Sequence, residues 1–457
     1  MKKIISALLV LTLLFSAFSI NTYATNTSKK EIGFEYEFDH TTESLSLVNL
    51  DTGITIFSEN SHVKRPIASL TKIMTYIVAY ENIPNPEDTK IQITQEMIDN
   101  SFSLAKTNPI YLLGEELSVL DLFHMLMIPT GNDAAIALQT YIDDIYPESD
   151  SGSYFVDLMN KKAKELGCND TYFTDTTGYD DVNSYSTSAD VAKMALHAST
   201  LPYFTEIVNK TYYTIPPNDV CTYKRNVYTT NNMLTHADND ASFYTYATGM
   251  KAGSSDKAGF CVAASATYSG YTYVCVALGA PMYDEYGYII NNGAKKDAAN
   301  MFRWAFTKVS LKIIANEGDL LGDVDVLYSW DVSNLQLVAR ETIYTLLPNN
   351  VSVSSLKTVT DIPESVEAPI KKGDKIGKVS FYYDDQLIAT ADLTASKSVS
   401  RSEVIHTMET GKEIINSPWF KIILTSVIIL LAAYFILIWH ANKKKKKMRS
   451  VRRRRNL

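Results

Sequence analysis

Residues 422–438 are seventeen consecutive uncharged, mostly apolar residues, and no other stretch constrains the chain as strongly. At about 1.5 Å per residue, this run with its Trp419, Phe420 and Trp439 flanks extends roughly 30 Å as a helix, the thickness of a bilayer core. Tryptophans at both ends suit the membrane interface. Ten Lys/Arg and no acidic residue follow between Lys443 and Arg455. A helix buried in a soluble core does not end in ten cations. Basic flanks stay cytoplasmic, so we expect a single-pass helix over residues 418–440 and a cytoplasmic tail over 441–457. Everything before the helix then lies on the extracellular face of the cell membrane.

The other end agrees. Lys2 and Lys3 precede an apolar run, and Thr22-Tyr23-Ala24 places small residues at the first and third positions before a cut. Residues 1–24 read as a signal peptide. Thirteen of the 43 Lys+Arg fall in these two end segments, leaving 30 against 51 Asp+Glu, a formal charge of −21, over residues 25–417. A region this acidic does not hold phosphate backbones, so no nucleic-acid partner is expected. Cys168, Cys221, Cys261 and Cys275 are widely spaced, with no Cys-x-x-Cys. We expect neither a disulfide framework nor a metal site, and buried free thiols instead.

Between the two ends the periodicity changes twice. After a polar lead-in over residues 25–40, alternation around Leu45 and Ile54, with an Asp51-Thr52-Gly53 turn, predicts a hairpin. Helical spacing then dominates. Leu70, Ile73, Met74, Ile77 and Val78 make one stripe, and Leu122, Phe123, Leu126 and Met127 another, opened by Ser118 and Asp121 and ended by Pro129. Thr130-Gly131-Asn132 is a tight turn into a further helix, which Asn132 would cap. Helices follow over residues 154–167, closed by Gly167, and 187–200. Strands return at Tyr212, then as a long hairpin over 259–278 turned by Ser269-Gly270, and a helix over about 295–308 ends the domain. Such an order predicts a sheet built from both chain ends around an inserted helical region. Residues 311–396 read as a separate small β-rich unit, with a hairpin turn at Asp384-Asp385, and residues 397–417 as a polar linker.

Within the first helical stripe lies Ser69-x-x-Lys72. Residues three apart on a helix are neighbours, so a hydroxyl sits beside an amine. A serine becomes a nucleophile when a base takes its proton, and a lysine acts as that base when its pKa is lowered. Alone, this four-residue pattern is commoner as an ordinary solvated helix start.

Three motifs occur in chain order: Ser69-x-x-Lys72, Thr130-Gly131-Asn132 and Lys251-Ala252-Gly253. Together with the segments around Lys64–Thr75, Met127–Ala135 and Met159–Gly167, they resemble the serine-type D-alanyl-D-alanine carboxypeptidases, the low-molecular-weight penicillin-binding proteins. The resemblance covers about residues 40–395. It implies an α/β (α+β) β-lactamase/transpeptidase-like domain over 25–310, with an antiparallel sheet and inserted helices. A small all-β domain over 311–396 and the C-terminal transmembrane helix follow.

The resemblance also implies roles. Ser69 attacks the carbonyl between two D-alanines of a peptidoglycan stem peptide, forming an acyl-enzyme that water hydrolyses, and penicillins acylate the same serine as inhibitors. Lys72 is the base, Thr130 relays a proton to the leaving amine, and Asn132 binds a substrate amide. Lys251 supplies positive charge and draws in the substrate carboxylate. The N–H groups of Ser69 and Ser254 form the oxyanion hole, and Gly253 lets substrate lie against the strand. No cofactor is implied.

Two positions depart from the family pattern. Thr130 stands where serine is usual and keeps the hydroxyl. Ala252 stands where the family has threonine or serine, whose hydroxyl binds the terminal carboxylate. Losing a hydrogen bond to a charged group weakens transition-state binding about tenfold to a hundredfold. The second reading is therefore an impaired relative that binds stem peptides or wall-assembly partners. A β-lactamase is the third, disfavoured because no Glu-x-x-Leu-Asn-like motif lies between Thr130 and Lys251. The seven histidines, among them His124, His197 and His236, show no metal spacing, and Asp180-Asp181 reads as a solvated loop.

Overall fold

The computed structural model describes residues 30–33, 38–146, 149, 152–236, 242–383 and 386–454. The signal peptide over 1–24 and the Asp384-Asp385 turn therefore lie outside the described residues. The chain divides into two compact units, Met1–Ser310 with Leu346–Asn350, and Leu311–Thr345 with Val351–Leu457.

In the first unit the strands come from both ends of the sequence. Strands β1 (Lys30–Gly33), β2 (Ser44–Asn49) and β3 (Thr55–Glu59) precede the helical region. There, α1 (Thr71–Asn82), β4 (Lys90–Gln92), α2 (Gln95–Ser103), β5 (Glu116–Ser118), α3 (Val119–Met127), α4 (Asn132–Ile145), α5 (Tyr154–Glu165), α6 (Ser188–Thr200) and α7 (Phe204–Val208) follow in turn. The hairpin β6 (Tyr212–Ile215) and β7 (Arg225–Tyr228) leads to β8 (Ala247–Ser255), β9 (Gly259–Tyr268), β10 (Tyr271–Ala280) and helix α8 (Gly293–Lys308). The main sheet has the order β1-β3-β2-β10-β9-β8 and is antiparallel throughout. This is the architecture expected of a sheet assembled from both ends.

Local chemistry explains the boundaries. Ser118 accepts from Asp121 N and the Asp121 carboxylate accepts from Ser118 N, so the capping box opens α3 as expected. Gly167 closes α5 at φ +70°. Asp297 of α8 accepts from the backbone and hydroxyl groups of Thr41 and Thr42, which ties this helix to the chain just before β2.

Four expectations need correction. The stripe on α1 is not one face: every residue from Thr71 to Ala79 is buried, because α3, α4, α5 and α6 surround the helix. Asn132 does not cap α4; Gly131 is the N-cap and Asn132 the first helical residue. The lead-in contains a strand, β1, paired with β3. Finally, the linker over 397–417 contains helix α9 (Glu403–Asn416), capped by Ser402, whose Oγ accepts from Ile405 N.

The second unit is all-β before its terminal helices. Its six-stranded sheet runs in the order Lys357–Asp361, Lys375–Tyr383, Gln386–Ala395, Asn334–Ala339, Leu320–Leu327, Ser365–Glu367. Leu335, Leu337, Val379, Phe381 and Leu393 form its core. Helix α10 (Pro418–Arg454) ends the description, and its Pro418–Lys443 portion is long and apolar enough to cross a membrane. It leaves Ile422, Leu430, Phe435 and Leu437 exposed, as a lipid-facing helix requires. The four cysteines are buried free thiols.

Candidate active site

Ser69 lies not within α1 but in the single 3-10 turn Ala68–Leu70 that feeds it. Ala68 takes φ +46°, a left-handed conformation uncommon for a residue with a side chain, immediately before the serine. Such conformations gather at functional sites. Lys72 then falls on the first turn of α1, fully buried, with Nζ 3.1 Å from Ser69 Oγ and donating to Thr177 O at 2.6 Å. Burial pushes its pKa down to about 7, opposed by the nearby carboxylates of Asp175 and Asp133. A fair share of Lys72 is thus neutral near pH 7, as a base must be.

The loop that supplies Thr177 is built by Asp175. Its Oδ1 accepts from Thr177 N, Thr177 Oγ1, Gly178 N and Tyr179 N. Gly178 sits at φ +80°, and a Cβ there would lie 1.9 Å from Ala68 O. The loop therefore crosses directly over the serine turn, and only glycine allows it.

The second group comes from the α3–α4 turn and β8. Thr130 takes φ +67°, and its hydroxyl accepts from Lys251 Nζ at 2.6 Å. Lys251 is buried on β8 and also donates to Met127 O at 3.0 Å. Burial, then the neighbouring Lys72 and Lys295 charges, push Lys251 well below the ordinary lysine range. Asn132 Nδ2 donates to Ala105 O at 3.1 Å, which fixes the amide against the segment after α2. Asp133, next along, is buried; its Oδ2 accepts from Ile110 N at 2.7 Å, and burial raises its pKa.

Gly253 joins the two groups. A Cβ on it would stand 2.8 Å from Ser69 N and 3.3 Å from Leu70 N, so strand and serine turn touch backbone to backbone. Ser254 follows on β8, in register with Phe260 of β9. Ser69, Lys72, Thr130, Lys251 and Gly253 are thus brought together, with Asn132 and Ser254 beside them. Ala252 is buried. Ser255 offers no free hydroxyl in its place, since it donates to Asp180 Oδ1 and accepts from Ala258 N at 3.0 Å. The aspartate read as solvated therefore ties the loop over the serine turn to the end of β8.

Sequence reasoning missed Asp175, Thr177, Gly178, Thr230 and Lys295. Thr230 Oγ1 is 2.8 Å from Thr130 Oγ1, and Lys295 Nζ donates to Thr230 O at 2.9 Å. None of these lies in a motif; Thr177 reaches Lys72 from 105 residues away in sequence and Thr230 reaches Thr130 from 100, while Lys295 holds Thr230 from 65. Among the described residues no group of His, Cys, Asp and Glu could hold a metal ion.

The arrangement can perform base-assisted acylation of Ser69. Acylation should then follow the neutral fraction of Lys72. Its rate is expected to rise with pH through a single limb centred near 7 and level off above it, because the protonated amine cannot accept the serine proton. Stopped-flow acylation from pH 5 to 9 measures this; a flat profile contradicts the assignment of Lys72 as base.

Comparison with known proteins places this geometry. A family model described as D-alanyl-D-alanine carboxypeptidase matches residues 27–282, and one described as penicillin-binding protein 5, C-terminal domain, matches 310–401. The D-alanyl-D-alanine carboxypeptidase DacF of Bacillus subtilis is 26% identical over 407 residues, covering 89% of this chain and 96% of that protein. DacD of Salmonella typhimurium is 27% identical over 367 residues, 78% of this chain and 85% of the relative. Among solved structures, penicillin-binding protein 5 from Haemophilus influenzae superposes with a TM-score of 0.61 at 26% identity, over 80% of this chain and all of the other. The Streptomyces K15 DD-transpeptidase gives 0.51 at 25% identity, over 60% of this chain and 99% of its own.

Proposed function

The chain belongs to the D-alanyl-D-alanine carboxypeptidase family of hydrolases, and from that premise we propose that it removes the terminal D-alanine of peptidoglycan stem peptides through an acyl-enzyme on Ser69. The observation that carries this reading is the buried amine of Lys72, 3.1 Å from Ser69 Oγ, with its pKa near 7.

In this mechanism Lys72 takes the Ser69 proton as Oγ adds to the carbonyl between the two D-alanines. The N–H groups of Ser69 and Ser254 receive the developing oxyanion. Thr130, linked to Lys251, passes a proton to the leaving D-alanine amine. Asn132 holds the peptide amide. Water then hydrolyses the ester and frees Ser69. Penicillins enter the same cycle and stop at the acyl-enzyme. The catalytic and β-rich domains, over 25–310 and 311–396, work on the extracellular face, held by the helix over 418–440 with the basic tail in the cytoplasm.

One observation favours a second reading. Ala252 brings no hydroxyl to the carboxylate position, and Ser255 is engaged with Asp180. A chain that had lost turnover but kept the cleft would bind stem peptides without cleaving them.

Free D-alanine released from a pentapeptide ending in D-Ala-D-Ala separates the two. The wild-type chain is expected to turn over and Ser69→Ala to be inert. Binding of the peptide with no release by the wild type overturns the hydrolase mechanism in favour of the binding role.

A further inference from the structure

At position 252 the site lacks the hydroxyl that the family uses for the terminal carboxylate, and of the two serines that follow on β8 only Ser254 keeps its hydroxyl exposed. Strand β8 offers a methyl at Ala252, and Ser255 is committed to Asp180. A hydroxyl does stand in the cleft, on a different segment. Thr230 follows β7 and is exposed, while Lys251, joined to it through the Thr130 hydroxyl, is buried. Its Oγ1 lies 2.8 Å from Thr130 Oγ1, which accepts from Lys251 Nζ at 2.6 Å.

The backbone of Thr230 is held from both sides. Its N–H donates to Ile128 O at 3.2 Å, just before the Thr130 turn, and its carbonyl accepts from Lys295 Nζ at 2.9 Å. Lys295 is itself buried at the start of α8 and also donates to Asn232 Oδ1, two residues on from Thr230. Two other segments, the α3–α4 turn and the start of α8, thus fix one exposed threonine beside the proton relay. A hydroxyl has one proton and two lone pairs. Either hydroxyl can donate in the Thr130–Thr230 pair; when Thr130, accepting from Lys251, donates to Thr230 as the substrate docks, the Thr230 proton is left for an anion in the cleft.

We propose that Thr230 supplies the hydroxyl that Ala252 lacks: its Oγ1 binds the terminal carboxylate of the substrate peptide, and Lys295 positions it through its backbone. The proposal rests on the carboxypeptidase reading for the identity of the anion. It makes the departure at 252 a relocation of the hydroxyl from β8 to the chain after β7, rather than a loss.

The test compares acylation by benzylpenicillin, which carries the carboxylate, with acylation by its methyl ester, which does not. Thr230→Val is expected to slow the acid about tenfold to a hundredfold and leave the ester within about twofold. Thr230→Ser should behave as wild type on both probes, and Ala252→Thr should restore the Thr230→Val chain on the acid. Equal loss on both probes overturns the proposal, because Thr230 would then act only through Thr130. So does an unchanged Thr230→Val, or the acid-selective loss appearing in Ser254→Ala instead. Should the wild type take up neither probe, the catalytic reading fails separately. Calorimetric binding of a D-Ala-D-Ala peptide and its C-terminal amide to wild type and Thr230→Val then decides the carboxylate contact alone.

Discussion

Lys72→Met should reduce acylation by about 10²- to 10⁴-fold, the contribution of a positioned general base, while the chain still folds. Methionine follows the lysine stem through the same buried channel and replaces only the amine. What is lost is the contact to Ser69 Oγ and the hydrogen bond to Thr177 O. Leaving that carbonyl unpaired costs about 1–3 kcal/mol. Against it stands the relief of not burying an amine. Lys72 has its folded pKa lowered from 10.5 to about 7. Between pH 7 and 10.5 the unfolded chain therefore holds a proton that the folded chain does not, and this group makes wild-type stability rise with pH across that window. In Lys72→Met that contribution disappears and the stability profile flattens. Chemical denaturation at pH 7 and 9 with acylation kinetics reads both effects. A variant that retains acylation within a few fold of wild type would remove Lys72 from the mechanism.

Gly253→Ala carries the second large effect, for a steric reason. The added methyl carbon would lie 2.8 Å from Ser69 N and 3.3 Å from Ser69 Cα, closer than a Cβ rests against backbone. Neither neighbour can yield cheaply. One is the turn that aims the nucleophile, and the other is a strand paired in register with β9 from Gly249 to Ser255. The shift falls on the N–H groups of Ser69 and Ser254, the two oxyanion donors of the proposed mechanism. Misplacing one donor costs about 10²- to 10³-fold in rate, and overpacking at this contact about 1–3 kcal/mol of stability. Acylation kinetics and thermal melting check this. Near-wild-type kinetics in Gly253→Ala would mean that Ser69 N takes no part in stabilising the oxyanion.

The sequence carried the fold further than it carried the site. Periodicity placed α3, α5, α6 and the β9–β10 hairpin to within a few residues, since each has local chemistry at its ends: the Ser118–Asp121 box, Gly167, the Ser269-Gly270 turn. Helix α2 had no such advantage. Its nine residues are mostly polar and bury only Met97 and Ser101, so no stripe announces it. Helix α9 hid inside a polar segment in the same way. The burial of α1 on all sides also had no local sign, because it depends on four other helices closing around it.

The site divides along the same line. Ser69, Lys72, Thr130, Asn132, Lys251 and Gly253 stand in short motifs and could be named through the family resemblance those motifs carry. The residues that hold them act across long separations through the backbone. Thr177 holds Lys72 with a carbonyl, which no residue type advertises. Asp175 matters because four donors converge on one of its oxygens. Thr230 enters because Lys295 and Ile128 fix it beside Thr130, a juxtaposition made only by folding.

The central claim is that Ser69 forms an ester with the acyl group of its substrate. Its most direct measurement is the intact mass of the purified chain after incubation with benzylpenicillin, followed by mapping of the adduct. The account predicts one added penicilloyl group per chain, located on Ser69, absent from Ser69→Ala, and formed by the same protein that releases D-alanine from the pentapeptide. An unmodified mass for a folded wild-type chain, or an adduct that persists in Ser69→Ala, would contradict it.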